Sequence, residues 1–176
     1  MGDAERFDLP ATPCAFDADF LADCPYDPEV LLLDSLLEVD LERSLVRCRM
    51  ITDLPLPLTS SQRAHPVHHP RHIAGGLIVH ATASLGFVHA YYVLGLRHHE
   101  GWIGYGTHIH KASFRRLISP GEEVEATCVA TRVRLGETRH IVRYTFELRS
   151  GDDRCYHGDQ SAIWVRTSGD AQASQA

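Results

Sequence analysis

The sequence predicts an α+β fold in which one curved antiparallel β-sheet wraps around a single long helix. The first observation is the segment from Gly76 to Leu96, which is apolar on nearly all sides of a helix. Such a helix must be surrounded by other elements rather than lie on a surface. The second is the run of strand patterns that fills most of the chain after residue 100, with a strand pair before the helix. A sheet that curves around the helix buries it with the fewest elements.

The chain before the helix predicts an arm, a hairpin and a long loop. Residues 1–25 show no sustained period and contain Pro10 and Pro13, so we expect a loose N-terminal arm with at most one short turn. The runs VLLLDSLLEVD, from Val30, and ERSLVRCRMI flank a turn and predict a β-hairpin. Residues 52–74 contain four prolines and predict a long irregular loop. A loop of that length inside a compact domain is usually functional.

Gly75 and Gly76 open the predicted helix, which we expect to end near Gly95. Four strands are predicted after it, at residues 102–115, 123–133, 140–149 and 156–166. In the third of these, apolar and polar residues alternate cleanly, as in a strand with one buried face. The small, polar tail at 168–176 predicts disorder. The expected organisation is therefore an N-terminal arm (1–25), a single domain (26–167) and a disordered tail (168–176).

Composition excludes several classes of function. The 176 residues carry a net charge of −6, which argues against a nucleic-acid binder. Five dispersed cysteines without a CxxC pair are typical of reduced thiols rather than of a disulfide framework. The N-terminus lacks the apolar core of a signal peptide, and the apolar helix carries histidines, threonine and serine. We therefore expect a cytoplasmic protein that does not insert into a membrane.

Three segments resemble one known family. The run LLLDSLLEVD resembles "FLLVDRVLEVD", HPVHHPRHIAGGLIVHATAS is similar to "HFPGxPVMPGVLIxEAxAQ", and IHKASFRRLISPGEEVE is similar to "IDKARFKRPVVPGDQLE". These motifs belong to the hot-dog fold superfamily, and most closely to the 3-hydroxyacyl-(acyl-carrier-protein) dehydratases. The resemblance covers roughly residues 26–166. It implies a hot-dog fold, which is a curved antiparallel β-sheet wrapped around one long central helix.

The resemblance also implies partners and chemistry. It implies a homodimer or a trimer of dimers, active sites at the dimer interface, and no metal or redox cofactor. The implied substrate is an acyl thioester on coenzyme A or acyl carrier protein. The leading function is a dehydratase-like lyase that eliminates water from 3-hydroxyacyl thioesters in fatty-acid or polyketide-type metabolism. One alternative is an acyl thioesterase that lacks a catalytic carboxylate, and another is a non-catalytic subunit that binds acyl chains.

The family's catalytic residues fall on unusual side chains here. Its helix glutamate falls on His80 and its glutamine on Ser84, while its loop histidine falls nearest His65, with His68, His69 and His72 as competitors. Elimination needs a base for the α-proton, an acid for the departing hydroxyl and donors for the enolate. The N–H groups of Gly75 and Gly76 are the predicted oxyanion donors, because they begin a helix. The predicted catalytic residues are His65, His72, His80 and Ser84.

Two further groups of residues were assigned from the sequence. Lys111, Arg115 and Arg116 follow the family's basic strand and are predicted to bind the substrate carrier, the alternative being a solvated strand face. The four loop histidines, at spacings of three, one and three, have residue types that bind zinc or nickel. Prolines interrupt them, however, and no acidic or cysteine ligand lies nearby in the sequence. We therefore predict no metal site.

Overall fold

The structure is a computed structural model, and it describes residues 9–53, 55–63 and 65–167. The elements in chain order are β1 (Cys14–Ala15), α1 (Ala18–Asp23), α2 (Pro28–Leu31), β2 (Leu33–Asp40), β3 (Leu45–Met50), α3 (Gly75–Tyr92), β4 (Trp102–Phe114), β5 (Val124–Arg134), β6 (Arg139–Ser150) and β7 (Asp153–Arg166). The strands form a single sheet in the order β1-β2-β3-β5-β6-β7-β4. Every neighbouring pair is antiparallel.

The core fills the space between this sheet and α3. In β6, Val142, Tyr144, Phe146 and Leu148 are buried, and the residues between them are at least partly exposed. Successive side chains of a strand point to opposite faces of the sheet, so the alternation read from the sequence marks the face toward the helix. The predicted curved sheet around one central helix is confirmed.

Helix α3 is buried on several sides along its length. Ala81, Leu85 and Val88 are fully buried in the core, while Ala83 is exposed. The helix begins at Gly75, as predicted, and ends at Tyr92 rather than near Gly95. The N–H of Val93 still donates to the His89 carbonyl, and two residues after the helix lead into the left-handed Gly95. Such termini vary by a few residues in any sequence-based prediction.

Residues 9–25 are ordered against the sheet and the helix, unlike the loose arm predicted from the sequence. Strand β1 pairs with β2, and α1 buries Phe20 to 1% exposure. Asp17 caps α1 by accepting the N–H of Phe20 at 2.7 Å, and its other oxygen accepts the Tyr92 hydroxyl at 2.6 Å. Pro10 and Pro13 favoured the prediction of a loop. Phe16 and Phe20, which are four residues apart, nevertheless contact each other and pack into the core.

The hairpin also starts later than predicted. Residues Pro28–Leu31 form the short helix α2, and Leu32 adopts a left-handed conformation before β2 begins. The predicted tail at 168–176 and the first eight residues of the arm lie outside the described residues. Within the described residues, no helix combines the length and apolarity needed to cross a membrane.

Candidate functional site at the start of the central helix

The first turn of α3 carries backbone donors that the protein leaves unused. The N-cap residue Ala74 has no side-chain capping bond, and the N–H groups of Leu77 and Ile78 both reach the Ala74 carbonyl. Among the described residues, no acceptor is found for the N–H groups of Gly75 and Gly76. Free N–H groups at a helix N-terminus lie in its positive field and bind anionic oxygens. This end of α3 therefore offers donors that are suited to a negatively charged or polarised oxygen.

A pocket of about 320 Å³ opens beside this turn, and we call it the site pocket. Its lining residues are His72, Ile73, Gly75, Ile78, Phe114, Arg115, Arg116, Leu117 and Ile118. The loop before the helix is fastened here, since the Ile73 N–H donates to the Ile118 carbonyl at 2.8 Å. A Cβ atom on residue 75 would lie 3.3 Å from the Phe114 ring, so glycine lets the ring approach the backbone closely. Phe114 was not singled out in the sequence, where nothing distinguishes it from other strand aromatics.

His72 is the histidine that the loop presents to the site pocket. Its backbone N–H donates to the Gln62 side chain at 3.1 Å, and its carbonyl accepts from the same amide at 2.9 Å. The ring Nδ1 lies 2.8 Å from the Pro70 carbonyl oxygen. Because a carbonyl only accepts, Nδ1 carries the proton, and the neutral ring keeps an unprotonated Nε2. Gln62 thus fixes the backbone of a histidine that has a free basic nitrogen.

His65, the nearest sequence match to the family's loop histidine, has a structural role in the loop. Its Nδ1 accepts the N–H groups of Val67 and His68, at 3.2 and 3.0 Å. Its backbone pairs with that of His69 in both directions, at 2.6 and 3.0 Å. The side chain is exposed and does not line the site pocket. These bonds close a tight turn within the loop.

His80 and Ser84 face away from the site pocket. The His80 Nε2 lies 2.7 Å from the Val30 carbonyl oxygen, and its ring meets the edge of Tyr26 at 5.5 Å. The Ser84 hydroxyl donates to the His80 backbone carbonyl at 3.4 Å rather than to the imidazole. Both residues therefore connect α3 to itself and to the segment before β2. Neither appears in the lining of the site pocket.

The three basic residues differ in how strongly they are held. Arg116 forms an ion pair with Glu122 and a longer one, 3.4 Å, with Asp153. The Arg116 guanidinium lowers the pKa of Glu122 to about 2. Lys111 and Arg115 are exposed, and no ion pair is found for either within the described residues. Arg115 is thus the cation at the site pocket that is available to a ligand, while Arg116 mainly fastens the turn before β5.

The histidines of the chain do not gather into a metal site within the described residues, where no group of three or more His, Cys, Asp or Glu side chains is placed to hold an ion. The ring of His65 stacks on His68, and that of His108 stacks on His110 with 5.5 Å between ring centroids. The His110 Nε2 bonds the Ser161 hydroxyl at 2.8 Å. Ring stacking and local hydrogen bonds therefore account for these pairs.

Comparison with known proteins identifies the fold. By sequence, no family model and no curated protein matches the chain. By structure, a variant of a thioesterase from Pseudomonas aeruginosa is similar at a TM-score of 0.56 and 17% identity, covering 84% of this chain and 92% of that one. A thioesterase from Haemophilus influenzae gives a TM-score of 0.54 and 16% identity, with 81% and 85% covered. A variant of the fluoroacetyl-CoA-specific thioesterase FlK, in complex with fluoroacetate and CoA, gives 0.53 and 16%, with 69% and 92% covered.

This chain has the hot-dog fold. The predicted superfamily fold is confirmed, while the closer likeness to dehydratases stays a prediction. Within this hot-dog fold, His72, Gly75, Arg115 and Arg116 share one pocket at the start of the central helix. His65, Gly76, His80, Ser84 and Lys111 lie outside its lining. The predicted site residues that share this pocket therefore come from the end of the loop, the first turn of α3 and the residues after β4.

Proposed function

We propose that the protein hydrolyses acyl thioesters carried by coenzyme A or acyl carrier protein. The observation that supports this proposal is that His72 and Gly75 line the same pocket. The Nδ1 of His72 lies 2.8 Å from the Pro70 carbonyl oxygen, which leaves Nε2 as the ring nitrogen that can take a proton. The similarity of the fold to several thioesterases supports the same chemistry. It favours hydrolysis over the dehydratase-like elimination that the sequence motifs first indicated.

The proposed reaction needs three actions from the chain. The His72 Nε2 takes a proton from a water molecule, and the resulting hydroxide attacks the thioester carbonyl carbon. The carbonyl oxygen gains negative charge and accepts the N–H groups of Gly75 and Gly76. The tetrahedral intermediate then breaks its C–S bond, and the leaving thiolate takes the proton back from His72. The products are a carboxylic acid and the free thiol of the carrier, and no metal or redox cofactor is needed.

Elimination makes demands that the site pocket meets less well. A dehydratase must remove the α-proton and also protonate the leaving hydroxyl, which usually takes two side chains. No Asp or Glu is among the residues that line the site pocket, and His72 is its single histidine. His80, which stands at the family's glutamate position, is bonded to Val30 instead. One base that accepts and returns one proton is sufficient for hydrolysis.

A purely structural role for these residues leaves two features of the site pocket unexplained. The Gly75 and Gly76 N–H groups remain without an acceptor among the described residues, although a serine, threonine or aspartate at position 74 could accept the N–H of Gly76. Arg115 stands at the edge of the same pocket, where a guanidinium suits a phosphate of the carrier. A subunit that only bound acyl chains would need neither feature.

We further propose that the protein works in the cytoplasm as a homodimer or a trimer of dimers. Strand β4 is at the edge of the sheet, is 13 residues long and exposes the large apolar side chains Tyr105, Ile109 and Phe114. Long exposed edges of this kind are templates for pairing with another strand. A two-fold pairing of β4 would cover this edge, and the mass of the protein in solution tests it.

The function is tested with two substrates and two readouts. The protein is incubated with dodecanoyl-CoA and, separately, with 3-hydroxydodecanoyl-CoA, and free thiol and the enoyl product are both measured. We expect thiol release from both substrates without enoyl product. Enoyl product from the hydroxylated substrate would restore the dehydratase hypothesis, and neither product from either substrate would favour a subunit without catalytic activity.

A further inference from the structure

A stripe of α3 continues from the site pocket along the helix. Gly75, Ile78, Thr82, Gly86 and Ala90 follow one another at spacings of three and four residues, which places them on one side of a helix. The first two line the site pocket, and the last three line two further pockets toward the end of α3. Strand β4 runs along the same side, with Phe114 beside Gly75 and Gly104 and Gly106 beside the later turns.

The glycine pocket, as we call the second pocket on this stripe, is a small void of about 60 Å³ beside Gly86 and Gly106. It adjoins the aromatic pocket, of about 260 Å³, since both are lined by Phe87, Gly104, Tyr105 and Trp164. The aromatic pocket is closed on its outer side by the N-terminal segment, where Tyr26 meets the edge of Phe87. Asp23, also in its wall, has its carboxylate bound by the N–H groups of His98 and His99.

Gly86 is a glycine whose own surroundings do not require it. It is buried in the middle of α3, yet a Cβ atom placed there would meet nothing within 4 Å. A Cβ at Gly106, across the pocket, would also meet nothing within 4 Å, whereas a Cβ at Gly104 would lie 2.6 Å from the Trp164 ring. Glycine inside a helix is unfavourable compared with alanine. Since close packing does not explain Gly86, the empty space that it leaves is the feature to explain.

We propose that this space receives the far end of the substrate's acyl chain, and that Gly86 sets the length of chain that is accepted. The inference rests on the proposed thioester hydrolysis, which places the carbonyl carbon beside Gly75. The stripe then offers a polar start at the N–H groups of the first turn and a mainly apolar end walled by Phe87, Phe146 and Trp164. The polar side chains of Thr82 and Gln160 in the same lining bond each other at 2.7 Å. An acyl thioester has the same polarity along its length.

The distance along the helix sets the expected chain length. Gly86 lies 11 residues after Gly75, which at the rise of an α-helix is about 16 Å. Carbon–carbon bonds of about 1.5 Å at tetrahedral angles advance an extended chain by about 1.25 Å per carbon. A chain of about twelve carbons therefore ends beside Gly86. Longer chains continue into the aromatic pocket past Trp164.

Filling the void from either side tests the proposal. We compare the wild type with Gly86→Leu and Gly106→Val, which fill the glycine pocket from the helix and from the strand. Gly86→Ala is the matched control, because a methyl group fits the space and also favours the helix. The ratio of kcat/KM for dodecanoyl-CoA to that for acetyl-CoA should fall at least about tenfold in both filled variants and much less in the control. An unchanged ratio in a folded filled variant would overturn the proposal.

A second measurement separates this proposal from the proposed hydrolysis. Dodecanoic acid is titrated into the wild type and the same variants by calorimetry, which does not depend on turnover. We expect the wild type to bind it and the filled variants to lose at least about tenfold in affinity. If the wild type binds dodecanoic acid but releases no thiol from any thioester, the proposed function fails and the acyl pocket stands. If Gly86→Leu leaves binding intact but breaks the oligomer, a second copy fills the void and the proposal is wrong.

Discussion

A histidine lies near each end of helix α3, and the surroundings of the two histidines differ. At its start, no acceptor for the Gly75 and Gly76 N–H groups and no partner for the Nε2 of His72 are found among residues 9–53, 55–63 and 65–167, and His72 and Gly75 line an open pocket. At its end, His89 is fully buried, with Nε2 beside the Ser44 carbonyl at 3.1 Å and Nδ1 accepting the Tyr144 hydroxyl at 3.4 Å. The polar groups at the end of α3 therefore serve packing, and we call this the structural end, whereas those at its start form the end that we propose to be reactive.

The structural end is also where the N-terminal segment is fastened. Tyr92 donates to Asp17, and the backbone after the helix donates to Asp23, so two carboxylates of α1 and its cap hold the end of α3. Burial lowers the pKa of His89 to about 4, because the charged ring would lose its hydration. We therefore expect mutations at the proposed reactive end to alter rates and mutations at the structural end to alter stability.

The largest expected effect comes from removing one oxyanion donor. Gly75→Pro deletes the N–H, and the extended backbone of Ala74 (φ −61°, ψ 136°) suits a following proline at the first helical position. Gly75→Ala keeps the N–H and places the same Cβ against Phe114. We expect kcat for dodecanoyl-CoA to fall about 10²–10³-fold in the proline variant. Equal losses in the two variants would show that contact with Phe114, and not the donor, limits the rate.

Buried His89, at the structural end, should make the free energy of unfolding depend on pH. The folded state disfavours protonated His89 and the unfolded state does not, so stability is full above about pH 6.5 and is lost as the pH falls toward 4. Between about pH 7 and pH 5, this residue should reduce the free energy of unfolding by about 2 kcal/mol. Urea unfolding of the wild type and of His89→Gln across that range measures it. Parallel pH profiles for the two proteins would contradict this account of His89.

A smaller effect is expected at the contact between α3 and the N-terminal segment. Tyr92→Phe removes a hydrogen bond to the Asp17 carboxylate and should lower the free energy of unfolding by about 1.5 kcal/mol. Asp17→Asn and the double variant complete a thermodynamic cycle that isolates this contact from the capping of α1. The value of kcat should stay near that of the wild type. A loss of turnover as large as the loss of stability would mean that the two ends are coupled.

The fold was readable from the sequence because its signals are local and repeated. The alternation from Val142 to Leu148 marks a strand, and the all-round apolarity of 76–96 marks a surrounded helix. The N-terminal segment was missed because Phe16 and Phe20, its two buried aromatic side chains, stand between residues whose pattern predicts a loop. One pair of aromatics four residues apart is too short a pattern to predict a docked helix.

The site was only partly readable, because its geometry depends on contacts between distant residues. Position in the motif favoured His80, yet the hydrogen bond to Val30, 50 residues away, turns its ring aside. His72 differs from its loop neighbours through the side chain of Gln62, which bonds both of its backbone groups. His89 resembles any other helical histidine in the sequence, and only the fold shows that Ser44 and Tyr144 surround it.

The most direct test compares two histidines that compete for the same role. kcat/KM for dodecanoyl-CoA is measured for the wild type, His72→Ala and His80→Ala, with circular dichroism to confirm that each variant is folded. We expect His72→Ala to lower kcat/KM by about a hundredfold or more, and His80→Ala to stay within about threefold of the wild type. A large loss in His80→Ala with full activity in His72→Ala would contradict the account and return the reacting centre to the second turn of the helix.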